Sequence, residues 1–323
     1  MGQPFSFGFF DTVSAELAGV KAYSLHTDAE AVCKAADAMI PLAGHLGVPA
    51  PAPHMYGISY MHVAALGSEV VNTPDLPEPW VGPLLRSPGE IENLREPENY
   101  LDFPLLHQRM AVLAELKKRR PDADTRLGHD FEGPATTAVL LMGQNFFLLA
   151  CDDPPLAQRL LDFCTSSGIH FSQAMRRLQG RPVVGESLGI PDDFAGMFDP
   201  ATFTRMVAPC WERLYSTLST GTRYLHCELL REGHLAALAG LKITEYDSGV
   251  DQYLPPEALK RSCPVPFSLR IWPAWVQSKP AEELVGIYRN FARFHPTSIM
   301  FHLERMADLP KIEQLLKVAR ELA

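Results

Sequence analysis

Short apolar runs alternate along this chain with longer segments that carry helix start and stop signals, and that alternation limits the possible folds more than any single motif does. The runs are Val183-Val184, Tyr224 to Cys227, Leu241 to Thr244, Val265 to Ile271 with a proline inside it, and Ser298 to Phe301. Each has strand length. Between them, Asp153 precedes a proline-led first turn and a stripe of Leu156, Leu160, Leu161 and Cys164, which predicts a helix over 153–168. The same grammar follows Asp199-Pro200 with Phe203, Met206, Val207, Cys210 and Leu214, and follows Pro280 with Leu284, Ile287, Tyr288 and Phe291. A last helix turns Ile312, Leu315, Leu316, Ala319 and Leu322 inward. Strands separated by helices must run parallel and be joined by right-handed crossovers. Since about eight such units are in prospect, the sequence predicts a closed (β/α)8 barrel, one domain over residues 1–323. No glycine-rich dinucleotide turn or phosphate loop is present. Residues 71–105, rich in proline and acid, read as a long surface connection.

Composition removes several function classes. The formal charge of -9 disfavours binding along a phosphate backbone, and the one basic run, Lys117 to Arg120, reads as a solvated helix end, so nucleic acid is not an expected partner. Six scattered cysteines without a Cys-x-x-Cys pair suggest neither a zinc ribbon nor a disulfide framework. No apolar run approaches the roughly 20 residues of a membrane helix. The N-terminal Phe5, Phe7, Phe9 and Phe10 lack the basic lead-in and cleavage pattern of a secretion signal, and a cytoplasmic protein is expected.

Candidate chemistry gathers at the ends of the expected strands, where a barrel places its loops. Tyr224-Leu225-His226-Cys227-Glu228 reads as a strand ending in two donors at alternate positions, which share one face. Ser298 to Phe301 runs into His302. His226, Glu228 and His302 could converge as three nitrogen or oxygen ligands with a fourth position open, a donor set suited to catalytic Zn2+. Cys263 and Glu304 are substitute ligands, while Cys227 should point away from its neighbours. Glu132 before Gly133-Pro134, Asp193 after a strand, and Tyr246 with Asp247 could reach the same mouth as catalytic groups, though a cap or loop ion pair serves equally for the first two and packing for Tyr246. Trp272 and Trp275 could wall a pocket. His62, His129 and His234 read as ordinary.

In order, Glu132-Gly133-Pro134-Ala135-Thr136-Thr137-Ala138, Met142-Gly143, Asp152-Asp153-Pro154, Pro191-Asp192-Asp193-Phe194-Ala195-Gly196, Asp199-Pro200, the His226 strand and the stretch from His302 to Ala319 are similar to the motifs of the uroporphyrinogen decarboxylase superfamily. The chain also resembles its cobalamin-dependent methyltransferase branch. The resemblance covers most of the chain and implies a TIM-type barrel. The Arg-Gln-Ala-Gly-Arg motif with which the decarboxylases grip a polyanionic porphyrinogen is missing, the first arginine being Arg86. Porphyrinogen decarboxylation is therefore the weaker expectation. The methyltransferase branch carries His-x-Cys and a later Cys on zinc. Here His226 matches the His, Glu228 stands at the first Cys, and His302 at the last.

The resemblance thus implies a zinc-dependent methyltransferase that moves a methyl group between a small methylated substrate, an O- or N-methyl donor or a thiol acceptor, and a corrinoid supplied by a partner protein. Two alternatives stay open: a metal-free decarboxylase or lyase acting on a smaller acid, with His302 and Arg270 managing charge, and a non-catalytic barrel that binds a corrinoid protein.

Overall fold

The computed structural model describes residues 3–73, 79–121, 124, 127 and 131–323. Among the described residues the strands are β1 (Phe5–Phe9), β2 (Val70–Val71), β3 (Trp80–Val81), β4 (Gly185–Pro191), β5 (Ser219–His226), β6 (Glu245–Asp247), β7 (Phe267–Arg270) and β8 (Ile299–Leu303). Six of them form one wholly parallel sheet in the order β1-β8-β7-β6-β5-β4. The other two make a small antiparallel ladder in the long connection anticipated over 71–105.

The parallel sheet curls into a half-barrel, and helices pack on its outer face. Pro154–Leu178 begins with Asp153 accepting from the Leu156 amide, as its start signal requires. It runs ten residues beyond the expected end at 168, because Gly168 is helical and buried. The segment after Asp199-Pro200 is helical too, but Phe203–Val207 is a π-helical turn just ahead of Pro209, whose missing amide removes a regular helical bond. Ala281–Ala292 and Leu309–Leu322 match expectation. One contiguous apolar core reaches from Val13 to Ala319. Among the described residues no single helix is long and apolar enough to cross a membrane.

The closed eight-stranded barrel is met only in part. Between β4 and β1, the described residues hold two fragments of pairing where further strands would stand. His54 bridges Asp124 in parallel, and the Gly133 amide donates to the Pro191 carbonyl over 2.6 Å. Pro49, Pro51 and Pro53 occupy alternate positions, so a ladder along that segment lacks the amides that point one way. Two strands also begin later than expected: β4 starts after Val183-Val184, and β6 follows Leu241 to Thr244 instead of coinciding with it. Lys242, at φ 54°, turns the chain there, so the apolar run closes a helix-to-strand turn.

Side-chain parity organises the site. On β8, Ile299, Phe301 and Leu303 are fully buried, and Phe301 meets Tyr288 of the helix Ala281–Ala292, so this parity faces the outer layer. The opposite parity, which includes Tyr224, His226, Asp247, Arg270 and His302, faces the hollow of the half-barrel.

Candidate active site

At the carboxyl ends of β5, β6 and β7, register places His226 opposite Asp247, with Arg270 one strand further on. Asp247 is the hub. Its Oδ2 accepts from Tyr224 Oη at 3.0 Å, His226 Nδ1 at 2.9 Å and Arg270 Nη2 at 2.6 Å, while its Oδ1 accepts the Gly249 amide at 2.9 Å. Burial on its own would raise this carboxyl's pKa; the His226 hydrogen bond and the Arg270 charge outweigh it and hold Asp247 well below the usual carboxylate range. The opposite balance holds at His226. Burial disfavours the imidazolium, but the Asp247 hydrogen bond and charge, assisted by Asp193, raise its pKa above the ordinary value. Tyr224 is kept as a neutral donor by burial and by the Asp247 charge.

With Nδ1 committed to Asp247, the free nitrogen of His226 is Nε2, which lies 3.6 Å from Asp193 Oδ1. That separation is an electrostatic contact and too long for a hydrogen bond. Asp193 Oδ1 instead accepts the Glu228 amide at 2.8 Å, tying the loop after β4 to the end of β5. Glu228 Oε1 accepts the Val250 amide at 2.9 Å. Gly249 sits between these groups at φ 61°, and a Cβ there would stand 2.3 Å from Glu228 Oε1 and 2.8 Å from His226 Cε1. Only glycine satisfies both the backbone and the space.

His302 joins the site from β8, two strands from Asp247. Burial, reinforced by the Arg270 charge, lowers its pKa to about 4, and it is neutral at pH 7. Its Nδ1 is buried with no partner, its ring meets Phe10 edge-on, and it lies over Gly8, where a Cβ would come within 2.9 Å of it.

The three expected metal ligands are therefore at one mouth but not at one point. β6 and β7 separate His226 from His302, a span of three strand spacings or roughly 14 Å measured along the sheet. The Arg270 guanidinium occupies the intervening ground. Among the described residues no three His, Cys, Asp or Glu side chains are arranged to hold a metal ion. The zinc ligand set of His226, Glu228 and His302 thus does not fit as placed. The substitutes do not repair it, since Cys263 Sγ turns to the Val265 carbonyl and Glu304 Oε2 accepts from Gln277.

Of the expected catalytic groups, Asp193 lies near His226, its Oδ1 3.6 Å from Nε2. Glu132 lies beside the end of β4, next to the Gly133 amide that joins Pro191. Tyr246 does not enter the site: it has the opposite parity from Asp247, is fully buried, and donates its hydroxyl to the Cys227 carbonyl. Cys227 also points away, donating to the Asp192 carbonyl. His62 and His234 are core residues bonded to Ser167 and the Phe198 carbonyl, and His129 lies outside the described residues. The sequence reading missed Tyr224, although its alternation with His226 was visible. It also missed Asp192, whose buried carboxylate accepts the amides of Ala135 and Thr136 and the Trp211 indole, docking the helix Pro134–Met142 under the mouth.

The profile of the uroporphyrinogen decarboxylase (URO-D) family matches residues 10–265, which take in His226, Glu228 and Asp247 but stop short of Arg270 and His302. No curated protein matches the sequence. Among solved structures, a methyltransferase from Methanosarcina mazei is similar over 99% of this chain and 94% of its own, with a TM-score of 0.70 and 16% sequence identity, a likeness of fold. With four-fifths of its length inside the family profile, this chain belongs to the uroporphyrinogen decarboxylase family.

Proposed function

We propose that the chain is a methyl-transferring enzyme that exchanges a methyl group between a small O- or N-methylated compound and a corrinoid carried by a separate protein. The observation that carries this reading is a proton-holding His226-Asp247 pair at the strand ends of a fold shared nearly end to end with a methyltransferase. Methyl transfer to cob(I)alamin breaks a carbon–oxygen or carbon–nitrogen bond and leaves the bonding electrons on the heteroatom. That atom departs easily only if it is neutral, so an oxygen or an unprotonated amine needs a proton as the bond breaks.

His226 is built to supply it. Asp247 orients the ring through Nδ1 and favours the imidazolium, the form in which Nε2 carries a proton to give. Tyr224 and Arg270 hold Asp247 ionised, and the neutral His302 can take a hydrogen bond from the substrate. Because the donor set does not fit a zinc ion, leaving-group activation rests on the proton. A second reading, decarboxylation of a small acid, is favoured by one observation: the partly exposed Arg270 guanidinium stands near both His226 and His302, a cation for a carboxylate.

The test is transfer from a panel of methylated compounds to cob(I)alamin, with and without chelator. Transfer that survives chelation and falls about a hundredfold or more in His226→Ala supports the reading, a loss in the range for removal of a general acid. Carbon dioxide release from small acids without any methylation of cob(I)alamin would replace it with the second.

A further inference from the structure

The helix Pro104–Arg119 carries two apolar stripes, and only one of them is fully buried. Leu106, Val112 and Leu116 turn into the core. Met110, Leu113 and Ala114, followed by Lys117, stand on another face at the spacing i, i+3, i+4 and i+7. They wall a cavity of about 620 Å³ whose other side is formed by Leu178 and Arg181, at the end of the helix Pro154–Leu178. We infer that this cavity is a second ligand site, and that its ligand is an organic anion, a carboxylate on an apolar body. The inference stands independently of the methyl-transfer reading.

The charges at its rim select the sign. Lys118, Arg119 and Arg120 are paired with Glu115 and Asp37, whereas Lys117 and Arg181 are exposed to solvent and form no ion pair among the described residues. Behind Arg181 stands Arg176, 6% exposed and close enough for the two like charges to act on each other. Its Nη1 is held by the Val183 and Leu218 carbonyls, each at 3.0 Å, so this guanidinium cannot swing away. Two helices end here, and each C-terminus carries about half a negative charge. Lys117, Arg176 and Arg181 exceed that sum, so the cavity keeps a net positive charge.

The walls select the rest of the ligand. Leu178 is 38% exposed, and the cavity lies within the roughly 300–1,000 Å³ of small-molecule sites, in which apolar walls hold the body and a few polar groups orient it. An inorganic anion would leave these walls in water, and a neutral hydrocarbon would leave the cations unanswered. The position separates this ligand from the methyl donor. Leu178 to Arg181 lead into the start of β4, whereas His226 and Asp247 stand at the carboxyl ends of their strands. The seven residues of β4 rise roughly 20 Å between those two levels.

The experiment is titration calorimetry of the full chain with octanoate, set against octan-1-ol, octylammonium and acetate. The expected result is a single octanoate per chain, bound at least about tenfold tighter than octan-1-ol, the worth of one charge-assisted hydrogen bond. Octylammonium should bind more weakly than octan-1-ol, and acetate should give no saturable heat. Lys117→Gln combined with Arg181→Gln should bring octanoate down to the affinity of octan-1-ol and leave octan-1-ol unchanged, while Leu113→Asn should weaken both. Lys117 and Arg181 are exposed, so their replacement tests charge and not folding. Equal affinity for octanoate and octan-1-ol, an octanoate affinity that survives the double substitution, or several octanoates per chain overturns the assignment.

Discussion

Asp247→Asn tests whether one carboxylate organises the mouth of the half-barrel. The Asp247 side chain is 2% exposed, and three donors share its Oδ2. Asparagine is close in shape but uncharged, and in either amide orientation it cannot receive Tyr224, His226, Arg270 and the Gly249 amide together. The Arg270 guanidinium is then left partly buried without its counter-charge. Breaking such a pair from one side costs about 3–5 kcal/mol. At about 2.1 cal/mol/K of unfolding entropy per residue, a two-state chain of 323 residues loses about 4–7 °C of melting temperature for that cost. The pH dependence has a sign. His226 has its folded pKa raised, so its pairing contributes fully below the unfolded value of 6.5 and is lost as pH rises through the folded value. Asp247 has its folded pKa depressed, so its contribution is present above the unfolded value of 3.8 and is lost as pH falls through the folded one. The gap between wild type and variant should therefore be widest between about pH 4 and 6.5 and should narrow on both sides. Thermal unfolding by circular dichroism measures the gap, and proton NMR of the His226 ring follows its titration. A variant that melts within about 1 °C of wild type at pH 6, with the His226 titration unmoved, refutes the hub.

Gly249→Ala should lower activity more than tenfold and cost about 1–2 kcal/mol from its left-handed backbone alone, because the added methyl enters the space of Glu228 and His226; kinetics and urea unfolding read the two effects. Tyr246→Phe should cost about 1 kcal/mol through its lost bond to Cys227 and leave kcat unchanged, whereas a loss of kcat would return Tyr246 to the site. Burial raises Asp192 from 3.8 to about 6, so ionising it in the fold should remove about 3 kcal/mol of stability as pH rises from about 4 to 6, a slope absent from Asp192→Asn in urea titrations. Metal analysis of the purified protein should find zinc well below stoichiometric; a full complement that disappears in His226→Ala would show that the ligand set assembles after all.

Most outer helices were legible because their signals are local: Asp153 and Asp199 cap their own first turns, and the apolar stripes need only the chain's own periodicity. The strands were legible as apolar runs, but their ends were not, since Leu241 to Thr244 is as apolar as a strand and only Lys242, at φ 54°, turns it aside. That slip matters for the site, because strand parity decides which of two neighbours faces the hollow. Tyr246 and Asp247 are adjacent, and the one that looked catalytic by type is a core residue. β1 escaped the reading although Phe5, Phe7 and Phe9 alternate with Ser6 and Gly8, the period of a half-buried strand. The separation of the three expected zinc ligands has the same root. His226 and Glu228 were related by local spacing, whereas the distance from either to His302 depends on how many strands lie between β5 and β8. Those intervening strands deliver Asp247 and Arg270, an anion and a permanent cation, into the gap. Had β8 been a direct neighbour of β5, two imidazoles could have shared one ion; with β6 and β7 inserted, the same histidines flank a carboxylate–guanidinium pair, an arrangement on which the proposed proton transfer from His226 rests.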